Sequence, residues 1–218
     1  MNDQPSEFVH PLLEDPEELA GFKQWSAEVY VDFLKIQNGK MTREEFRERY
    51  LYTRAILVLD LTGFTENCMD GQIASLLRIF DAQKVAIPVL KEQRSTMIRT
   101  FADNVVALFE QPDNALDAAL EIHERVDQFA RSGLGGDQPA QCCIGVGFGE
   151  AYAIGVNLAM GDEMNQASKL GEDIARGRET LITSRMHAAV SRRDDLEFVS
   201  EHSDDQLFPY FSVHRKGS

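Results

Sequence analysis

The chain has 218 residues, of which 43% are hydrophobic and 27% charged, and its 36 acidic against 22 basic side chains leave a formal net charge of −14. This is the composition of an ordinary globular protein, and so acidic a balance disfavours sequence-independent binding to DNA or RNA, so no nucleic-acid partner is expected. No apolar run approaches the roughly 20 residues that a bilayer-spanning helix needs, so no membrane partner is expected.

Residues 1–20 are rich in Pro and Glu and are expected to lack fixed structure. They carry neither the basic nor the apolar region of a secretory leader, which makes the cytoplasm the expected location. Over 21–49 an apolar-spaced helix is expected, then a break at Gln37-Asn38-Gly39. A second short helix follows, opened by Thr42 with Glu45 three residues on, the pattern of a capping box. Residues 1–49 are therefore read as an N-terminal arm, partly helical, and 50–218 as one folded domain.

RAILVLDL (54–61) reads as a strand buried on both faces. Residues 70–93 have helical spacing at Ile73, Leu76, Leu77, Ile79, Phe80 and Val85. STMIRTFAD and NVVALFE read as adjacent strands, and PDNALDAALEIHERVDQFARSG as an amphipathic helix. QCCIGVGFGEAYAIG suggests two strands joined through Gly149, GDEMNQASKLGEDIARG a helix stopped at Gly177, ETLITS a strand, and LEFVS with YFSVHR a closing hairpin. The order β-α-β-β-α-β, then αβ and a hairpin, is that of a ferredoxin-like split βαβ domain of the α+β class. It implies a mostly antiparallel sheet with helices on one face.

Three cysteines, Cys68, Cys142 and Cys143, have no CxxC spacing and are expected to be reduced, and the five scattered histidines suggest no zinc site. The residue that stands out is Asp60, a carboxylate at the end of an aliphatic strand. Burying it unpaired would cost several kcal/mol, so it is either a hydrogen-bonded cap of the following turn or a metal ligand. A second aspartate, Asp103, sits at the junction of the two middle strands, which the split βαβ topology places beside the end of the first. Two such carboxylates repel unless a cation lies between them, and oxygen-only ligation suits Mg2+ or Mn2+. Residues 62–65, TGFT, open the following helix, whose free N–H groups can hold phosphate oxygens. Together these features point to a nucleoside triphosphate.

Asp60-Leu61-Thr62-Gly63-Phe64-Thr65, then Phe101-Ala102-Asp103, then IGVGFGEAYAIG, then Gly161-Asp162-Glu163-Met164-Asn165-Gln166-Ala167-Ser168-Lys169-Leu170 resemble the successive blocks of the class III nucleotidyl cyclase domain. The resemblance runs from about residue 54 to 190. It implies a lyase that closes a nucleoside triphosphate to a 3′,5′-cyclic nucleotide and pyrophosphate with two divalent cations, Mn2+ or Mg2+. It implies that Asp60, Asp103 and the carbonyl of Leu61 hold metal, that Gly63, Phe64 and Thr65 bind phosphates, and that Asn165 orients the ribose. Lys169 falls where the family usually has an arginine for the transition-state phosphate; lysine keeps the charge and loses the bidentate fork. The family builds two shared sites across a homodimer.

The positions matching the family's purine-reading pair are Arg99 and Leu158, which suit neither adenine nor guanine. An arginine facing a base that presents two carbonyl oxygens suits uracil, and Tyr50, with Tyr52, is a candidate to stack on it. This combination resembles the bacterial pyrimidine cyclases of Pycsar anti-phage systems, so UTP is the expected substrate, ahead of CTP. The alternatives are an adenylate or guanylate cyclase, a catalytically inactive nucleotide-binding regulator, and a binding module unrelated to nucleotides in which Asp60 is a structural cap.

Overall fold

The computed structural model describes residues 11–22, 25–61, 72–134, 140–154, 159–201 and 208–217. The arm is more helical than its composition suggests. A short helix α1 (Pro16–Gly21) is capped by Asp15, whose carboxylate accepts from the backbone N–H of Glu17 and Glu18 at 2.9 Å. Helix α2 (Ala27–Gln37) ends at the expected break, and α3 (Arg43–Tyr50) opens on a complete capping box. There Glu45 N–H donates to Thr42 Oγ1 at 3.1 Å and Thr42 N–H donates to Glu45 Oε2 at 2.7 Å. Helix α3 runs directly into β1 (Leu51–Leu61). Val29, Phe46 and Tyr50 pack with Ile154 into a small core of the arm's own.

The remaining elements are α4 (Gln72–Glu92), β2 (Met97–Phe101), β3 (Asn104–Phe109), α5 (Pro112–Arg131), β4 (Cys142–Ala153), β5 (Ala159–Met160), α6 (Asp162–Ser168) running on as a π-helical segment (Lys169–Ile174), β6 (Thr180–Thr183), α7 (Ser184–Val190), β7 (Leu196–Glu201) and β8 (Tyr210–Arg215). The sheet order is β2-β3-β1-β4-β6-β8-β7, with β5 paired to β4. Only β4 and β6 run parallel among the described strands. The α+β split βαβ architecture is the one the sequence implies, and the terminal hairpin is β7–β8.

Strand β1 shows why a strand buried on both faces reads as an unbroken aliphatic run. Ala55, Leu57, Leu59 and Leu61 enter the main core with Ala82, Ala86, Val89 and Leu90 of α4, Leu116, Ala119 and Ile122 of α5, and Met186 of α7. Ile56 and Val58 point the other way, against Ala167 of α6. Helices therefore cover both faces, not one. The second layer exists because β4 offers a bare surface: a Cβ at Gly145 would lie 2.1 Å from the carbonyl oxygen of Ala167, and one at Gly171 2.6 Å from that of Val58. No real Cβ tolerates such distances, so these two glycines let helix and sheet meet backbone to backbone.

Two further expectations give way. Gly149 joins no pair of strands; it lies inside β4, where a Cβ would come 2.6 Å from Cγ of Glu163. Glycine is there for packing, not for a turn. Helix α4 forms as its spacing predicts and Ile79 and Val85 pack on the core, but Ile73, Leu76, Leu77 and Phe80 are 73%, 62%, 55% and 56% exposed, and Ala82, Ala86, Val89 and Leu90 supply the buried contact.

Candidate active site

Asp60 follows Ile56 and Val58 in the alternation of β1, so it faces the α6 side, paired in register with Cys143 of β4. It is half-buried. Burial first, and the negative charge of Asp103 second, push its carboxyl up to about 6, against a hydrogen bond from the Leu61 N–H that opposes the rise. Glu172 and Asp173 of the π-helical segment add to the same repulsion.

Asp103 occupies the two-residue turn of the β2–β3 hairpin, next to the pair Phe101–Asn104. The hairpin turn needs positive φ, and Ala102 supplies it at 51°. A non-glycine residue there costs on the order of 1 kcal/mol, so strain is stored directly beside Asp103. Because Leu59 of β1 faces Val105 of β3, the turn is held against the end of β1. The expected juxtaposition of Asp60 and Asp103 is thus present, and their mutual repulsion is its electrostatic signature.

Among the described residues no group of three or more His, Cys, Asp or Glu side chains is placed to hold a metal ion. The pair alone nevertheless fits a hard cation. Its donors are all oxygen, and a bound divalent charge would reverse the repulsion that raises Asp60. Leu61, 5% exposed, directs its side chain into the main core, so it has only its carbonyl to offer.

Asn165 and Lys169 lie four residues apart, both exposed, Asn165 on α6 and Lys169 at the start of the π-helical segment. Lys169 Nζ binds Asp173 Oδ2 at 2.6 Å, and within one chain no hydrogen bond or ion pair joins either residue to Asp60 or Asp103. Beneath them Glu163 is 1% exposed. Its carboxylate accepts from Thr183 Oγ1 at 2.9 Å and from the Phe148 N–H at 3.2 Å, with Arg185 at 3.6 Å. Burial raises its pKa. Glu163 ties α6 to β4 and β6, a role the sequence reading missed; its four-residue spacing from Ala167, also buried, is the signal that marks it as inward-facing.

Arg99 is half-buried on β2, its guanidinium 6.0 Å from the centre of the Phe101 ring. The register places it beside Val106 and hence Val58, on the same sheet face as Asp60. Tyr50 is elsewhere. It is 8% exposed in the arm's core, with its ring 4.6 Å from Phe46 and its hydroxyl donating to Asp32 at 2.9 Å. Burial and that bond push the hydroxyl up to about 12. A ring so enclosed has no face for a base, so the stacking expected of Tyr50 does not fit its packing. Tyr52 is exposed and stacks with Arg54 instead. Gly63, Phe64, Thr65 and Leu158 lie outside the described residues, as does Cys68; Cys142 and Cys143 are buried thiols in no disulfide, the Cys143 Sγ donating to the Ala175 carbonyl at 3.3 Å.

No protein-family model matches the chain, and no curated protein matches its sequence. Solved structures do match. The guanylyl cyclase Cya2 is 18% identical with a TM-score of 0.62, over 75% of this chain and 92% of that one. The adenylyl cyclase CyaB from P. aeruginosa is 15% identical with a TM-score of 0.61, over 77% and 95%. The guanylate cyclase domain of RhGC from Catenaria anguillulae, solved in complex with GTP, is 14% identical with a TM-score of 0.63, over 76% and 98%. The chain therefore has the class III nucleotidyl cyclase fold.

The raised carboxyl of Asp60 has a consequence for stability. A group whose pKa rises on folding stabilises the protein below its unfolded value, near 3.8, and that contribution disappears as pH climbs through about 6. Asp60→Asn, which cannot ionise, is expected to stabilise the metal-free protein by about 1–2 kcal/mol at pH 7.5, discounted for partial solvation, with the advantage vanishing near pH 4. Urea unfolding at both pH values checks this; an equal effect at both would contradict a raised Asp60 carboxyl.

Proposed function

We propose that the protein is a nucleotidyl cyclase acting on a nucleoside triphosphate, with UTP preferred. The observation that carries the reading is the pair Asp60–Asp103, two carboxylates set against each other at one end of a sheet with the cyclase fold. In the reaction the ribose 3′-oxygen bonds to the α-phosphorus, the bond from that phosphorus to the bridging oxygen breaks, and pyrophosphate leaves. Two divalent cations, Mn2+ or Mg2+, would be held by Asp60, Asp103 and the Leu61 carbonyl, and supply charge neutralisation and a more acidic hydroxyl. Asn165 orients the ribose, and Lys169 sets a positive charge against the triphosphate after exchanging Asp173 for it.

The site belongs to a homodimer in this reading. Asn165 and Lys169 face solvent, away from any contact with the aspartates of their own chain, and α4 exposes four large apolar side chains of the kind that interfaces cover. Arg99, on the sheet face of Asp60, favours a base with two carbonyl acceptors. Cyclic UMP would be the product, and the proposal of an anti-phage signal rests on the sequence resemblance to pyrimidine cyclases at Arg99 and Leu158 alone. Buried, unbridged neighbouring cysteines suit a cytoplasmic setting. No described helix is long and apolar enough to cross a membrane. The second reading, an inactive nucleotide-binding regulator, is favoured by a lysine at 169 engaged by Asp173.

UTP should be turned over with a kcat/KM at least ten times that of ATP or GTP, since each mismatched polar group at a buried base costs on the order of 1–3 kcal/mol. Preference for a purine would remove the role given to Arg99, and nucleotide binding without turnover would select the regulator.

Dimer complementation tests the shared site. Asp103→Ala and Asn165→Ala homodimers should each be inactive, because each site then has one lesion. In a mixed dimer one site has both lesions and the other none, so mixing equal amounts should restore roughly a quarter of wild-type activity by two-fold symmetry. No rescue despite verified subunit exchange would place the whole site within one chain.

A further inference from the structure

A cavity of about 470 Å³ opens between the arm and the end of β4, within the range of small-molecule sites. Its walls are apolar: Phe33 of α2, Phe46 of α3, Tyr152 and Ile154 at the end of β4, and Met160 of β5. The polar groups around it have one character. Arg43 and Arg47 of α3 line it and, among the described residues, no carboxylate does, in a chain of net charge −14. Trp25 lines it as well with its ring, while its indole Nε1 is turned away from the accessible surface and has no hydrogen-bond partner among the described residues. Arg47 reaches Glu44 only at 3.9 Å, between two exposed side chains, and Arg43 makes no ion pair among the described residues. Apart from the Tyr152 hydroxyl, which does both, every polar side chain at the cavity is a donor.

An open apolar groove flanked by two cations is complementary to an amphipathic anion. We propose that this cavity binds a small apolar carboxylate, its chain or ring system packed on the aromatic walls and its carboxylate oxygens accepting from Arg43 and Arg47 at the rim. The lining includes none of Asp60, Asp103, Asn165 or Lys169, so the site stands independently of the nucleotide reading.

The chain's single tryptophan is Trp25, which makes the cavity its own reporter. Decanoate, below its micelle concentration, is expected to change Trp25 emission saturably, with a Kd at least tenfold lower than that of decyltrimethylammonium. The double variant Arg43→Gln/Arg47→Gln, altered only at exposed positions and checked by melting temperature, should weaken decanoate at least tenfold while leaving decanol within twofold of wild type. Unchanged emission with decanoate, equal binding of the cation, or full decanoate affinity in the double variant would overturn the proposal. So would decanoate binding that appears only after deletion of residues 1–10, since the chain's own terminus would then be the occupant. Binding that is lost as protein concentration rises would overturn it too, in favour of a second copy.

Discussion

At Gly145 the backbone of α6 lies so close to β4 that a single methyl group would overlap the Ala167 carbonyl oxygen at 2.1 Å, and at Gly171 the same holds against Val58. The candidate site depends on that approach. It puts a second helical layer on the sheet face that carries Asp60, and it sets Glu172 and Asp173 near enough to act on that carboxyl. It also leaves Asn165 and Lys169 on the outer side of the same layer. Glu163 fastens the arrangement, its buried carboxylate accepting bonds from β4 and from Thr183. Small residues on the strand and a buried acid on the helix are two halves of one packing solution.

Charge then determines what the face is suited to. Asp32 and Asp60 are both carboxylates withdrawn from water, with opposite outcomes. At Asp32, burial alone would raise the carboxyl, but hydrogen bonds from Lys35 and Tyr50 and the charge of Arg49 hold it below its usual value. It is a satisfied structural acid. At Asp60 burial is the first cause of the rise, Asp103, Glu172 and Asp173 add to it, and the Leu61 N–H opposes it. An acid in that state inside a folded domain is the kind of group found at functional sites, and it is what supports the proposed ligand role of Asp60 over that of a cap.

The parts legible in the sequence were those set by local chemistry or by topology. The aliphatic run of β1 marked a strand buried on both faces, Thr42 and Glu45 marked the start of α3, and the split βαβ order placed Asp103 beside Asp60. Block spacing indicated a cyclase fold at 14–18% identity to the three structures compared. Where tertiary contacts decide, the sequence misled. Glycines in β4 suggest turns, but their use is helix approach, so the second helical layer was not foreseen. The large apolar residues of α4 suggest a core-facing stripe, and Ile79 and Val85 do pack on the core with Ala82, Ala86, Val89 and Leu90, yet Ile73, Leu76, Leu77 and Phe80 are exposed. Tyr50 looked available for a base because nothing local reveals that Asp32, far back in the arm, binds its hydroxyl.

In the proposed reaction this face closes a nucleoside triphosphate on itself. Phosphorus-31 NMR of the wild-type protein with Mn2+ and each of the four triphosphates in turn addresses it directly. The account predicts one pyrophosphate for every 3′,5′-cyclic nucleotide formed, with neither product from the Asp103→Ala protein. Release of inorganic phosphate or a linear nucleotide, or no product from any triphosphate while the protein remains folded and dimeric, would contradict it.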